Sequence, residues 1–144
     1  MPLEYSDIVR QCQNIINLEK LIEEEEGERL EFKSSLAQIK DILKTICAFA
    51  ITYGGIVVVG IKGSGEVVGV NITDETLLSL RRSIETSIDP QPFVRLRVQS
   101  YNDKPILIIE VAEGVNKPYF YRGKCYVRVG LSNKLLSRDE IKKP

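Results

Sequence analysis

The segment Ile56-Val57-Val58-Val59-Gly60-Ile61 follows Gly54-Gly55 and carries no polar side chain. A strand with one wet face alternates polar and apolar residues. This run does not alternate, so it is expected to be a central strand covered on both faces. Such a strand requires packing layers on two sides. A chain of 144 residues supplies them for one domain and is too short for two ordinary ones.

The flanking segments supply the layers. Ile8, Val9, Cys12, Ile15, Ile16 and Ile22 recur at helical spacing, with Ser6 as N-cap, so residues 1–25 are expected to hold an N-terminal helix. Arg29-Leu30-Glu31-Phe32-Lys33 alternates as a short half-buried strand. Ser34 or Ser35 is placed to cap a second helix over 36–52, with the apolar stripe Ile39, Ile42, Leu43, Ile46 and Phe49. The turn Lys62–Glu66 leads into Val67–Val70, expected to pair back on the central strand. Thr73 or Asp74 is expected to cap a third helix ending near Ile88, ahead of Pro90.

Two further hairpins are expected. One joins Phe93–Tyr101 to Ile106–Val111, and the other joins Tyr119–Tyr121 to Lys124–Val129 across Arg122-Gly123. A short helix from Ser137 closes the chain. The fold expected is a single α+β domain over 1–144, with a core over 26–141, about three helices and a mostly antiparallel or mixed sheet of about seven strands.

Several chemistries are excluded by residue type. Without histidine the chain holds no Ser-His-Asp or Cys-His centre and no His-ligated zinc. Cys12, Cys47 and Cys125 have no CxxC spacing; an odd, sparse set, without a basic stretch and apolar run at the amino end, points to a reducing cytoplasm. The longest low-polarity stretch, Cys47 to Ile61, falls short of the roughly 20 residues a bilayer needs, so no membrane partner is expected. Gly55 and Gly60 have phosphate-loop spacing, but Ile61 stands where the lysine belongs.

The net charge of zero conceals an uneven distribution. Residues 1–90 carry 9 basic and 15 acidic side chains, net −6, and residues 91–144 carry 11 and 5, net +6. On the strand from Phe93, alternation places Arg95 and Arg97 opposite Val94, Leu96 and Val98. On the strand from Lys124 it leaves Lys124, Tyr126 and Arg128 outward and Cys125, Val127 and Val129 inward. With Lys117, Tyr119, Tyr121, Arg122 and Lys134, these cations and aromatics suit phosphate pairing and base stacking, although a solvated sheet face uses the same residue types. Glu26 and Glu31 flank a glycine turn. Converging carboxylates hold Mg²⁺ or Mn²⁺, while Arg29 and Lys33 beside Glu31 equally suit a surface ion-pair ladder.

Taken in order, Leu30-Glu31-Phe32-Lys33, Cys47-Ala48-Phe49-Ala50 with Gly54-Gly55, Val59-Gly60-Ile61, Val68-Gly69-Val70, Lys117-Pro118-Tyr119, and Tyr126-Val127-Arg128-Val129-Gly130 with Ser132 and Ser137 to Ile141 resemble the core of the Schlafen family and its prokaryotic AlbA-like DNA-binding relatives. The resemblance covers about residues 20 to 141. It implies an α+β nucleic-acid-binding domain. Paired lobes surround RNA in that family, so it also implies that a one-lobe chain forms a homodimer. Some members are Mg²⁺- or Mn²⁺-dependent endoribonucleases acting on tRNA or rRNA through three carboxylates. Two of these carry over to Glu26 and Glu31. At the third position the chain has Lys62-Gly63, with Glu66 the nearest acid, and Ile51 replaces the family's usual asparagine. A lysine at a ligand position opposes a divalent ion and is suited to a phosphate.

Three readings follow. The first is a nucleic-acid-binding homodimer that needs no cofactor, gripping DNA or RNA with Lys62, Arg95, Arg97, Lys117, Arg122, Lys124 and Arg128 and stacking with Tyr119, Tyr121 and Tyr126. The second is an endoribonuclease using Glu26, Glu31 and Glu66. The third is a protein-interaction module with no nucleic-acid role.

Overall fold

The computed structural model describes residues 16–142. In chain order these form α1 (Leu18–Glu24), β1 (Leu30–Lys33), a 3₁₀ turn (Leu36–Gln38), α2 (Ile39–Ile51), β2 (Gly55–Val59) and α3 (Asp74–Ser87). There follow β3 (Ile88–Asp89), β4 (Val94–Tyr101), β5 (Lys104–Val111), β6 (Phe120–Tyr121), β7 (Tyr126–Val129), β8 (Ser132–Leu135) and α4 (Arg138–Lys142). The α+β class stands. Ser6, Ile8, Val9, Cys12 and Ile15 of the expected N-terminal helix lie outside the described residues; within them, that helix is α1, capped by Asn17, whose side chain accepts the Lys20 N–H.

The main sheet has the order β1-β2-β5-β4. β1 and β2 are parallel, joined through α2, and β2–β5 and β5–β4 are antiparallel. As the non-alternating run required, β2 is central and its side chains divide between two cores. Val57 and Val59 pack with Ile42, Ile46, Phe49, Leu107 and Ile109 beneath α2. Val58 packs with Leu18, Leu30, Phe32, Ile106 and Ile108 beneath α1.

Local chemistry sets the element ends. Ser35 accepts the Ala37 N–H to open the 3₁₀ turn that precedes α2, and Thr73 with Thr76 forms a reciprocal cap on α3. At the end of α2, Gly54 adopts φ +73° and donates its N–H to Phe49 O at 2.7 Å.

Two pairings differ from expectation. Val67–Val70 makes one bridge, Ile61 to Val67, and no strand. Gly60, Gly65 and Gly69 all have φ between 77° and 111°, which curls the segment so that both Val68 and Gly69 donate to Gly60 O. The turn at Arg122-Gly123 forms, but its arms part after one bridge: β6 pairs with β3, and β7 with β8. The cause is burial. Tyr119, Tyr121 and Tyr126 all enter the core beneath α2 and α3, so the chain wraps around this core instead of forming a flat ribbon. Cys47 and Cys125 are buried free thiols; burial pushes Cys47 up to about 12, so it stays protonated at neutral pH.

Candidate functional site

β7 lies along α2 and directs Arg128 inward, where its side chain is fully buried. Nε donates to Gly27 O at 3.1 Å, and Nη1 donates to Asn133 Oδ1 at 3.0 Å. Nη2 donates to Gly27 O at 2.9 Å and to Glu31 Oε2 at 2.6 Å. The guanidinium carbon lies 5.1 Å from the centre of the Phe49 ring, and Asn133 also donates to Thr45 Oγ1 at 2.8 Å. The expected facing of β7 is therefore inverted: Tyr126 and Arg128 point in, and Val129 is exposed. Arg128 is an internal clasp and does not reach a phosphate. A buried guanidinium tolerates this position because acceptors from the β1 turn and β8 surround it.

The carboxylates do not form a triad. Glu31 is held by Arg128 and, at 3.5 Å, by Lys33. Glu26 Oε1 accepts the Phe32 N–H at 2.9 Å, and Glu26 lines a hollow of about 360 Å³ with Phe32, Gly63, Ser64 and Leu131. Alternation sends Phe32 and Glu31 to opposite faces of β1. Glu66 lies at the surface, paired with Lys62 at 3.2 Å. Among the described residues no three Cys, Asp or Glu side chains form a group able to hold a metal ion. Glu26, Glu31 and Glu66 as arranged here do not fit a three-carboxylate Mg²⁺ or Mn²⁺ centre.

The cations expected to share one surface lie on separate parts of the fold. Arg95 and Arg97 leave β4 on the face opposite α2, with Arg97 paired to Glu110. Lys117, Arg122 and Lys124 lie on the segments around β6, by α2 and α3. Lys117 pairs with Glu113 at 2.9 Å and Lys134 with Glu140 at 3.2 Å. Tyr119, Tyr121 and Tyr126 are 3%, 5% and 8% exposed, so the expectation that they stack on bases fails: their rings are core. Arg95, Arg122 and Lys124 remain exposed, Arg122 resting 5.8 Å from the Tyr121 ring.

The sheet register assembles a feature that sequence reading missed. Gly55 and Val94 both stand opposite Val111, and Leu30 opposite Ile56. Phe93 and Arg29, each just before one of these residues, and Tyr53, two before Gly55, therefore meet at one end of the sheet. They line a cleft of about 610 Å³ together with Arg95, Glu24 and Glu25. Phe93 is 69% exposed and Tyr53 52%, with the Arg29 guanidinium 5.2 Å from the Tyr53 ring. The sequence offered only two isolated aromatics, one before Gly54-Gly55 and one after Pro92, with nothing local that sets them side by side.

The family described as Schlafen, AlbA_2 matches residues 26–137. The DIP2311 protein from Corynebacterium diphtheriae has a similar structure, with a TM-score of 0.66 at 22% identity over 92% of this chain and 31% of that one. This chain thus spans less than a third of DIP2311. The N-terminal domain of a RecG-related protein from Nitrosomonas europaea gives a TM-score of 0.60 at 21% identity over 86% of this chain and 97% of that domain. At these identities the likenesses establish the fold. No curated protein matches the chain. No helix among the described residues is long and apolar enough to cross a membrane.

Proposed function

The chain belongs to the Schlafen/AlbA_2 family, and from that premise we propose that it binds nucleic acid through the phosphate backbone, as a homodimer in the cytoplasm. The observation that carries this reading is that Arg95, Arg122 and Lys124, read from the sequence as phosphate ligands, are exposed without an ion pair to a carboxylate among the described residues, as is Arg29 in the same cleft as Arg95. The other cations so read, Lys62, Arg97, Lys117 and Arg128, are each paired with a carboxylate, as is Lys134. An arginine or lysine without a carboxylate partner is available to a phosphate oxygen. The protein whose N-terminal domain shares this fold is described as related to the ATP-dependent DNA helicase RecG, a relation consistent with contact to nucleic acid. Support for pairing of two copies comes from the β7–β8 hairpin, where Val129, Leu131 and Leu135 are 56%, 61% and 50% exposed along a strand edge unpaired among the described residues. The free thiols Cys47 and Cys125 support a reducing compartment.

Fluorescence anisotropy with labelled duplex and single-stranded oligonucleotides across a salt series tests the phosphate grip. Log affinity is expected to fall linearly with log salt. Arg122→Ala with Lys124→Ala should reduce the magnitude of that slope by about 1 for each phosphate no longer neutralised. Affinity independent of salt, or an unchanged slope in the double variant, overturns it. A protein that binds no oligonucleotide yet self-associates would be an interaction module. Sedimentation of the same protein, 16.3 kDa per chain, is expected to show a dimer whose dissociation follows Leu131→Asp; a monomer at every concentration removes the pairing.

A further inference from the structure

We propose that the cleft between Tyr53 and Phe93 holds an unpaired nucleobase, making single-stranded nucleic acid the preferred ligand. This rests on the phosphate-binding reading and adds to it a site and a strand form. Three observations converge on it. First, two large aromatic side chains remain 52% and 69% exposed at one concave place, although the same chain buries Tyr119, Tyr121 and Phe49 almost completely. A ring left in water beside a cleft of about 610 Å³ presents a face against which a flat heterocycle can lie. The bases of a duplex are stacked on one another and cannot enter.

Second, the charges are sorted within the cleft. Arg97 engages Glu110, so the carboxylate nearest Arg95 across the β4–β5 register is already neutralised. Arg95 is left as an exposed cation on that wall, and Arg29, stacked with Tyr53, is a second. Both have the planar fork that pairs with phosphate oxygens. Glu24 and Glu25 on the α1 side repel phosphate and accept from exocyclic amino groups. A strand is thereby oriented with its backbone along the arginines and a base turned inward.

Third, the cleft is rigidly framed. Gly54 and Gly55 set the end of β2 against Val111, so Tyr53 is held by backbone packing rather than by a loose loop.

The test compares a labelled twelve-nucleotide single strand and the corresponding duplex, using the full chain and its Phe93→Ala and Tyr53→Ala variants. Both side chains are exposed, so the variants should keep the wild-type melting profile, which is checked by circular dichroism. The unsubstituted protein is expected to favour the single strand. Each variant should weaken single-strand binding roughly ten- to hundredfold, the range for removing one base–aromatic stack, with duplex affinity within about twofold, since the phosphate grip alone carries it. Phe93→Trp should retain binding, and 2-aminopurine fluorescence in the strand should be quenched by the wild type but not by Phe93→Ala. Equal affinity for both strand forms, unaltered by either substitution, overturns the base site while leaving the phosphate grip standing. Absence of binding to either oligonucleotide removes the phosphate grip itself, and the base site with it.

Discussion

Arg128→Ala is expected to lose about 3–5 kcal/mol of folding stability, the range for removing one partner of a buried ion pair. For a domain of this size that corresponds to a melting temperature lower by roughly 10–20 °C. The substitution strips hydrogen bonds from Gly27 O, Asn133 and Glu31 together and removes the cation above the Phe49 ring. Arg128→Lys should not restore the loss, because one ammonium cannot reach acceptors spread across the β1 turn and β8 as the planar fork does. Thermal melts of the three proteins decide the matter. A melting temperature within about 2 °C of wild type for Arg128→Ala would show that the clasp contributes no net stability.

Gly54→Ala is the second substitution with a large expected effect. The residue sits at φ +73°, where a side chain costs roughly 1–2 kcal/mol. A Cβ there would also stand 2.7 Å from Val111 O and 2.8 Å from Glu113 N. Both are backbone atoms with no rotamer to move aside, so β2 or the segment after β5 must shift, at a further cost of about 1–3 kcal/mol. Chemical denaturation should place the total loss between about 2 and 5 kcal/mol. Gly27→Ala is the control, since a Cβ at Gly27 meets nothing within 4 Å. Equal stability of the two variants would refute the close approach at Gly54.

The features legible in the sequence were those set by short-range physics. A non-alternating apolar run has one solution, burial on two faces, and β2 adopts it. Ser35 and Thr73 announce helix starts because their hydroxyls satisfy nearby N–H groups. The β4–β5 hairpin turns at Asn102-Asp103, both at positive φ, a conformation these residue types tolerate. What was not legible depends on partners far along the chain. Tyr126-Val127-Arg128-Val129 alternates, but alternation defines two faces without saying which one is inside. The valines suggest one answer, and acceptors at residues 27 and 31, about a hundred positions away, impose the other. Glu31 looked like a surface carboxylate or metal ligand for the same reason: its partner cannot be inferred from its neighbours. Tyr53 and Phe93 meet only through the register of β2, β5 and β4, so their cleft has no local signature.

The guanidinium clasp also bears on which fragments can fold independently. It fastens Gly27 and Glu31, near one end of the family match, to Arg128 and Asn133, near the other. A piece trimmed past Glu31, or cut before Asn133, keeps most of the central sheet but leaves ionic or polar groups in the interior without their counterparts. The smallest autonomous unit is therefore bounded by this fastening rather than by the ends of the sheet, and shorter expression products should be insoluble or readily degraded.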